Sequence, residues 1–310
     1  MRQKSVQVKI PASTANLGPG FDTIGMAFQL YTTIRMEVSD TTVVRLHGNQ
    51  MSGLPTDKTN LIYKVAEKLL SGAGLSVPEL LIDVDSDVPL TRGLGSSATA
   101  IVGALVAANE LAGGLYSKDE LFTMATEWEG HPDNVGASLF GGIIVACIGQ
   151  DNLRYVQLNV PEELEAIAVI PHFMLKTEKA RNVLPATYSR KDVVFNTSHA
   201  GVLVAALATG QLEALAEAMK DVVHHPYRAP LVPGLEEIIH HAHEYGALGT
   251  ALSGAGPTIL ALIDKTKPTD ILECYMVDTL KKYGIDSTVM RLKPDRNGVV
   301  IEKSISGVAQ

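Results

Sequence analysis

Residues 89–100 read Pro-Leu-Thr-Arg-Gly-Leu-Gly-Ser-Ser-Ala-Thr-Ala, and six of the twelve are Gly, Ser or Ala. They join a strand-like segment, Glu-Leu-Leu-Ile-Asp-Val from residue 79, to an apolar stretch in which Ala98, Ile101, Val102, Leu105 and Ala112 fit one helical face. Such a chain turns tightly at Gly93 and Gly95 and then starts a helix, with Ser96 or a neighbour as the expected N-cap. The first N–H groups of a helix have no intrahelical acceptor and carry the positive end of its dipole, so the place suits phosphate. The plain alternative is a tight turn feeding a core helix.

The familiar phosphate loops do not fit. Gly-x-x-x-x-Gly-Lys-Ser/Thr is missing, since no Gly-Lys pair occurs in the chain. Gly93-x-Gly95-x-x-Ala98 matches a relaxed dinucleotide pattern, but the helical sequence that follows offers no strand with an acidic residue about 20 positions on. Neither His-Arg-Asp nor Asp-Phe-Gly is present, which excludes the protein-kinase set.

The 310 residues suffice for two domains of ordinary size, and a composition 46% hydrophobic and 19% charged supplies a core. The net charge is −8 and no basic run exceeds two residues, so no nucleic-acid partner is expected and any anion must be held by local groups. Cys147 and Cys274 lie far apart in apolar surroundings and read as reduced core residues. No secretory region precedes the first strand, and no apolar run approaches the roughly 20 residues of a membrane span. A soluble, cytoplasmic protein without a membrane partner is expected.

Strand patterns fall at residues 4–10, 25–38, 42–47, 79–87 and 141–149, with a helix after Asn60 carrying Leu61, Val65 and Leu69, and helices up to about Gly136. After Pro161 the pattern restarts, with strands at 165–170, 247–252, 258–263 and 286–292. Helices fall at 189–220, 233–245 and 268–283, and the last few residues read as frayed. The mixed order predicts an α+β fold, residues 1–160 forming one domain and 161–310 a second.

Two further stretches stand beside the opening loop. Residues 11–25, Pro-Ala-Ser-Thr-Ala-Asn-Leu-Gly-Pro-Gly-Phe-Asp-Thr-Ile-Gly, read as a loop carrying Asn16 and Asp22 between strands, and residues 249–262 place Ser-Gly-Ala-Gly-Pro between apolar strands. Together the three resemble the signature motifs of the GHMP kinases, in the same order and over most of the chain. Lacking a Gly-Glu-His element, the first resembles the homoserine-kinase branch rather than the galactokinases. The resemblance implies an N-terminal α/β nucleotide-binding domain and a C-terminal ferredoxin-like domain. It implies transfer of the ATP γ-phosphoryl to the side-chain hydroxyl of L-homoserine, a step toward threonine, and a homodimer.

On this resemblance the nucleotide lies on Pro89, Leu90, Thr91, Arg92, Gly93, Leu94, Gly95, Ser96, Ser97, Ala98 and Thr99, with Asn60 near the adenine or simply capping its helix. Mg²⁺ falls to Ser97 and Glu129, both counted as catalytic with Asn134, while Glu127 reads as a solvated helix residue. Family members often carry several residues between this glutamate and the histidine; here only Gly130 separates Glu129 from His131. A carboxylate calls for a planar arginine fork, offered by Arg181 and Arg228 with Thr177 nearby; an ammonium calls for Asp22 or Asp133. Asn16, His131 and Asn134 complete the substrate set. Mevalonate-type kinases place an aspartate where Asn134 stands, and an amide accepts no proton. Either another group takes the proton or the transferred phosphate does so itself, and the resemblance to the homoserine-kinase branch implies the second. Two rivals stand beside this reading: a mevalonate- or isopentenol-type kinase, and a binding paralogue without catalysis. His240 and His243 share a helical face but have no third ligand beside them, so a capping or solvated role is expected.

Overall fold

The computed structural model describes residues 5–48, 51, 53–150 and 152–302; the tail expected to fray lies outside them. The first half runs β1 (Ser5–Asn16), β2 (Gly20–Ser39), β3 (Val43–His47), α1 (Leu61–Gly72), β4 (Glu79–Ser86), α2 (Ser96–Ala112), α3 (Lys118–Glu129), α4 (Asp133–Phe140), β5 (Ile143–Ile148) and β6 (Leu153–Leu158). The second runs β7 (Leu164–Pro171), α5 (Thr177–Asn182), α6 (Arg190–Thr209), α7 (Leu215–Ala218), α8 (His225–Arg228), α9 (Leu235–His241), β8 (Gly249–Leu252), β9 (Ile259–Asp264), α10 (Asp270–Lys282), β10 (Ser287–Leu292) and β11 (Val300–Glu302).

Two sheets result. The first has the order β11-β1-β2-β4-β3, with β5 on β2 and β6 on β5; the second, wholly antiparallel, has the order β10-β7-β9-β8. That order, with helices between β7 and β8 and between β9 and β10, is the ferredoxin-like arrangement. α2 lies against the first sheet and is buried on nearly every side, as an all-round apolar sequence requires. Every residue of β7 is buried, because apolar residues cover both faces. Ile167 and Val169 pack with α9 and α10, while Ala166 and Ala168 share a cluster with Leu17, Ile24, Met26 and Phe28 of the first half. That shared cluster joins the two sheets and fixes the loops between them.

The structure amends the sequence expectations at several points. Residues 11–25 are mostly strand rather than loop: β1 continues to Asn16 and pairs with Gly20 across a tight turn, because its small residues are buried on both faces. Strands β6 and β11 carry no clear periodic signal, and β11 brings the end of the described chain back to β1 through Gln7–Glu302, Val8–Ile301 and Lys9–Val300. Both cysteines are free but exposed, not core. Cys274 lies on the side of α10 away from buried Leu272 and Met276, and Cys147 falls at the exposed end of β5. Helix α6 is 20 residues long and holds an 18-residue window with a mean hydropathy of 1.2, long and apolar enough by length and composition to cross a membrane, though the helix opens with Arg190, Lys191 and Asp192.

Candidate active site

The three motif stretches meet. Gly93 and Gly95 both have positive φ, at 80° and 73°. A Cβ on Gly93 would lie 2.2 Å from the Ser253 carbonyl oxygen, and one on Gly95 would lie 2.4 Å from Ser13 Oγ. Only glycine permits that approach. Ser13 N–H donates to the Leu94 carbonyl at 3.2 Å and Gly254 N–H to the Ala15 carbonyl at 3.2 Å. Ser253 Oγ donates to the Gly93 carbonyl at 2.6 Å, and Asn16 Nδ2 to the Gly254 carbonyl at 3.1 Å.

The residue capping α2 is Gly95 rather than Ser96, and no side chain caps this terminus. The Ser96, Ser97 and Ala98 N–H groups find no acceptor among the described residues. A buried helix of 17 residues thus presents free donors and its positive end to a pocket, which is an anion site.

Across that pocket Ser97 Oγ donates to Glu129 Oε2 at 2.8 Å. Burial raises the Glu129 carboxyl above the ordinary glutamate range, so the group gains from a nearby cation. Gly130, with φ of 87°, ends α3 and turns the chain at once. The short Glu129-Gly130-His131 spacing therefore still brings Glu129, His131, Asp133 and Asn134 to one pocket wall.

His131 Nδ1 bonds Asp133 Oδ1, which also accepts the Asn134 N–H at 2.7 Å. Burial pulls the His131 imidazole down, but the hydrogen bond and charge of Asp133 leave it above the ordinary histidine value. Asp133 Oδ2 is buried with no partner among the described residues. Asn134 donates through Nδ2 to Ser13 O at 3.1 Å and Ser13 Oγ at 3.0 Å, which fixes the amide and leaves its oxygen without a donor among the described residues.

At the other end Asp22, in the left-handed region at φ 52°, donates its N–H to Asn16 Oδ1 at 3.0 Å. Arg181 of α5 holds the Asp22 carboxylate with two hydrogen bonds, Nη1–Oδ2 at 2.9 Å and Nη2–Oδ1 at 2.7 Å. Arg228 of α8 is 2% exposed and, among the described residues, donates only to neutral acceptors: the Ala180 and Gly254 carbonyls, each at 3.0 Å, and His224 Nδ1 at 3.4 Å. Burial pulls its guanidinium down to about 10. Both guanidinium carbons sit over the Phe21 ring, at 5.7 Å for Arg181 and 5.3 Å for Arg228.

All eight expected substrate residues line this pocket: Asn16, Asp22, His131, Asp133, Asn134, Thr177, Arg181 and Arg228. Of the loop, Thr91, Gly93, Gly95, Ser96 and Ser97 face it, while Leu90 and Thr99 face an adjoining cavity together with Asn60, Ser96 and Ser97. Asn60 caps α1 through Ile62 N–H at 2.9 Å and donates to the Pro55 carbonyl at 2.7 Å. Pro89, Arg92, Leu94 and Ala98 line neither cavity. Leu94 and Ala98 belong to the core. His240 and His243 form no metal cluster among the described residues, and His240 Nδ1 contacts the Glu236 carbonyl at 2.7 Å.

Residues the sequence reading passed over are Ser13, Ser253, Phe21, Asp221 and His224. His224 is wholly buried and bonds the Gly18 carbonyl through Nε2 at 2.9 Å. Asp221 Oδ2 accepts the His224 and His225 N–H groups at 2.8 and 2.6 Å. The paired histidines ahead of Pro226 were the available signal. Ser13 and Ser253 lie inside the first and third motif stretches, where only an inter-loop contact explains them.

Residues 60–142 match the model of the GHMP kinases N terminal domain, and residues 203–279 that of the GHMP kinases C terminal. With the two sheets and the converging loops, these define a kinase of the GHMP class. The homoserine kinase of Deinococcus radiodurans is 46% identical over 295 residues, spanning 95% of this chain and 96% of that protein. That of Desulfitobacterium hafniense is 43% identical, spanning 96% and 99%. The crystal structure of homoserine kinase from Cytophaga hutchinsonii superimposes with a TM-score of 0.86 at 29% identity, covering 97% and 98% of the two chains. The chain belongs to the homoserine kinase family.

Proposed function

We propose that this pocket transfers the γ-phosphoryl group of ATP to the side-chain hydroxyl of L-homoserine, giving O-phospho-L-homoserine on the way to threonine. The observation that carries the reading is one pocket with a free helix terminus at one end and a set for both charges of an amino acid at the other. Phosphates lie on the N–H groups of Ser96 and Ser97, and the adenine lies toward Asn60. The substrate carboxylate takes the arginines and its ammonium takes Asp22, which sets the hydroxyl near Asn134.

The hydroxyl oxygen attacks the γ-phosphorus and the bond to the bridging oxygen breaks, leaving ADP. Asn134 holds the hydroxyl through its amide oxygen, and the proton passes to the transferred phosphate, since the amide cannot take it. The Ser97 hydroxyl and Glu129 carboxylate are hard oxygen donors 2.8 Å apart, a set that fits Mg²⁺. When bound, that ion neutralises charge on the phosphates. Mevalonate- and isopentenol-type substrates carry no ammonium for Asp22, and a silent paralogue would not need an intact Ser97–Glu129 pair.

We place the enzyme in the cytoplasm, supported by its two free cysteines, and expect a homodimer, supported by Val193, Val194 and Val202 exposed on α6. A coupled ADP-release assay over homoserine, threonine, serine and mevalonate tests the function. Turnover with homoserine above the others supports it, and turnover confined to mevalonate overturns it.

A further inference from the structure

A second cavity, of about 340 Å³, shares no lining residue with the catalytic pocket. Phe195 of α6 and Leu235 and Ile239 of α9 give it apolar walls. His225, the first residue of α8 and 6% exposed, lines it as well. Burial lowers this imidazole below its ordinary value. The Leu252 N–H donates to its Nε2 at 3.1 Å, so the neutral ring carries its proton on Nδ1. That N–H has no hydrogen-bond acceptor among the described residues. Asp221 Oδ2 lies 3.9 Å away and already accepts the His224 and His225 backbone N–H groups. A buried donor left unpaired is costly, and a ligand that brings an acceptor removes the cost.

We propose that this cavity is a second binding site, for a small uncharged molecule with an apolar body and one hydrogen-bond acceptor, and that its occupancy changes how the catalytic pocket holds homoserine. The ligand class follows from the lining. An acceptor takes the Nδ1–H of His225, and hydrocarbon fills the space beside Phe195, Leu235 and Ile239. An anion is disfavoured, because Asp221 and Glu236 line the same cavity and the Lys220 ammonium there is paired with Glu217. His240 Nδ1 donates to the Glu236 carbonyl, which leaves His225 as the buried donor of this cavity among the described residues. The coupling follows from α8, which is four residues long. His225 opens it at the cavity, and Arg228 closes it in the catalytic pocket on the Ala180 and Gly254 carbonyls. A ligand that favours one position of His225 therefore biases the position of Arg228. The coupling rests on the homoserine reading above; the binding does not.

The probes are acetophenone, a ring with one carbonyl acceptor, and benzoate, its anionic counterpart of similar shape. Nitrogen NMR of the histidine side chains in the full chain reads binding at His225, and KM for homoserine and for ATP reads the consequence. Acetophenone at millimolar concentration should shift the His225 Nδ1 resonance, and benzoate should bind about 10-fold more weakly. Acetophenone should also change KM for homoserine by about 5-fold and leave that for ATP unchanged. Ile239→Trp fills the cavity from α9 and should abolish both effects while the kinetics without probe stay as in the parent. His225→Phe should abolish binding too; because it strands the Leu252 N–H, Ile239→Trp decides the matter if that variant does not fold. No shift at His225, equal binding of benzoate, or a shift that survives Ile239→Trp overturns the site. A shift with the homoserine KM unmoved overturns the coupling. If the folded parent binds acetophenone at His225 but turns over no homoserine, the function fails and the coupling with it, while the site stands.

Discussion

Ser97 and Glu129 meet across the pocket at 2.8 Å, tying the first turn of α2 to the last residue of α3. The serine comes from the glycine loop and the glutamate from a helix 32 residues further on, and each alone reads as an ordinary polar residue. On the proposed function, the two oxygens hold a cation beside the free N–H groups that open α2. Glu129→Gln keeps the shape and removes the charge. It should cut kcat by about 10²- to 10³-fold and shift the Mg²⁺ requirement to higher concentration, with little change in melting temperature. Titration of kcat against Mg²⁺ checks this; an unchanged Mg²⁺ dependence would mean that Glu129 serves only to orient Ser97.

Gly95 bears two loads. The sequence argues for a glycine that lets phosphate approach the backbone; the structure adds that its missing side chain makes room for Ser13 of β1. Gly95→Ala should therefore destabilise the fold by about 1–3 kcal/mol, from positive φ and the 2.4 Å approach to Ser13 Oγ. It should also weaken ATP binding as the α2 terminus shifts. Thermal unfolding and ATP titration of the same variant separate the two effects, and unchanged ATP affinity would contradict the phosphate-site assignment.

His224 should make the enzyme acid-sensitive. Burial pushes its imidazole down to about 3 from an ordinary 6.5. Between those values the unfolded chain takes a proton that the folded chain refuses. Stability is thus complete above pH 6.5 and is lost as the pH falls toward 3. His225 is lowered too, and burial is again the main cause, so the two act with the same sign. His224→Gln should be less stable at neutral pH and lose stability more gradually below pH 6.5. Urea midpoints from pH 7.5 down to 4.5 read this directly, and identical slopes in both proteins would refute it.

What the sequence disclosed, and what it withheld, follows from the range of the interactions. Gly93, Gly95, Asn16, Asp22, Arg181 and Arg228 carry local signals, of turn chemistry or of motif context, and the structure brings all six to one pocket. β11 stayed hidden because three residues make too short a pattern, and its partner β1 lies almost 300 positions away. The Asp22–Arg181 pair spans 159 residues, and no periodicity reports a contact of that kind. His224 carries no local signal of its role; only the fold puts it beneath Gly18 and beside Arg228.

Asn134 should orient rather than deprotonate. With its NH₂ group held by Ser13 O and Oγ, the amide offers one acceptor to the substrate hydroxyl. Asn134→Ala should cost about 10- to 100-fold in kcat and leave the shape of the pH–rate profile unchanged. A general base contributes on the order of 10²- to 10⁴-fold and shows as an acidic limb. The same profile for His131→Gln and Asp133→Asn completes the set. If a limb present in the parent disappears in either variant while substrate binding holds, that residue takes the proton and the direct route to phosphate is wrong.

The most direct test of the central claim is the identity of the phosphorylated product. The enzyme is incubated with ATP, Mg²⁺ and L-homoserine, and the product is examined by phosphorus NMR with coupling to protons. The geometry of this pocket predicts a new phosphate ester coupled to the methylene protons beside the former hydroxyl, formed in step with ADP. Release of inorganic phosphate alone, or a phosphate on the amino or carboxyl group, would contradict it.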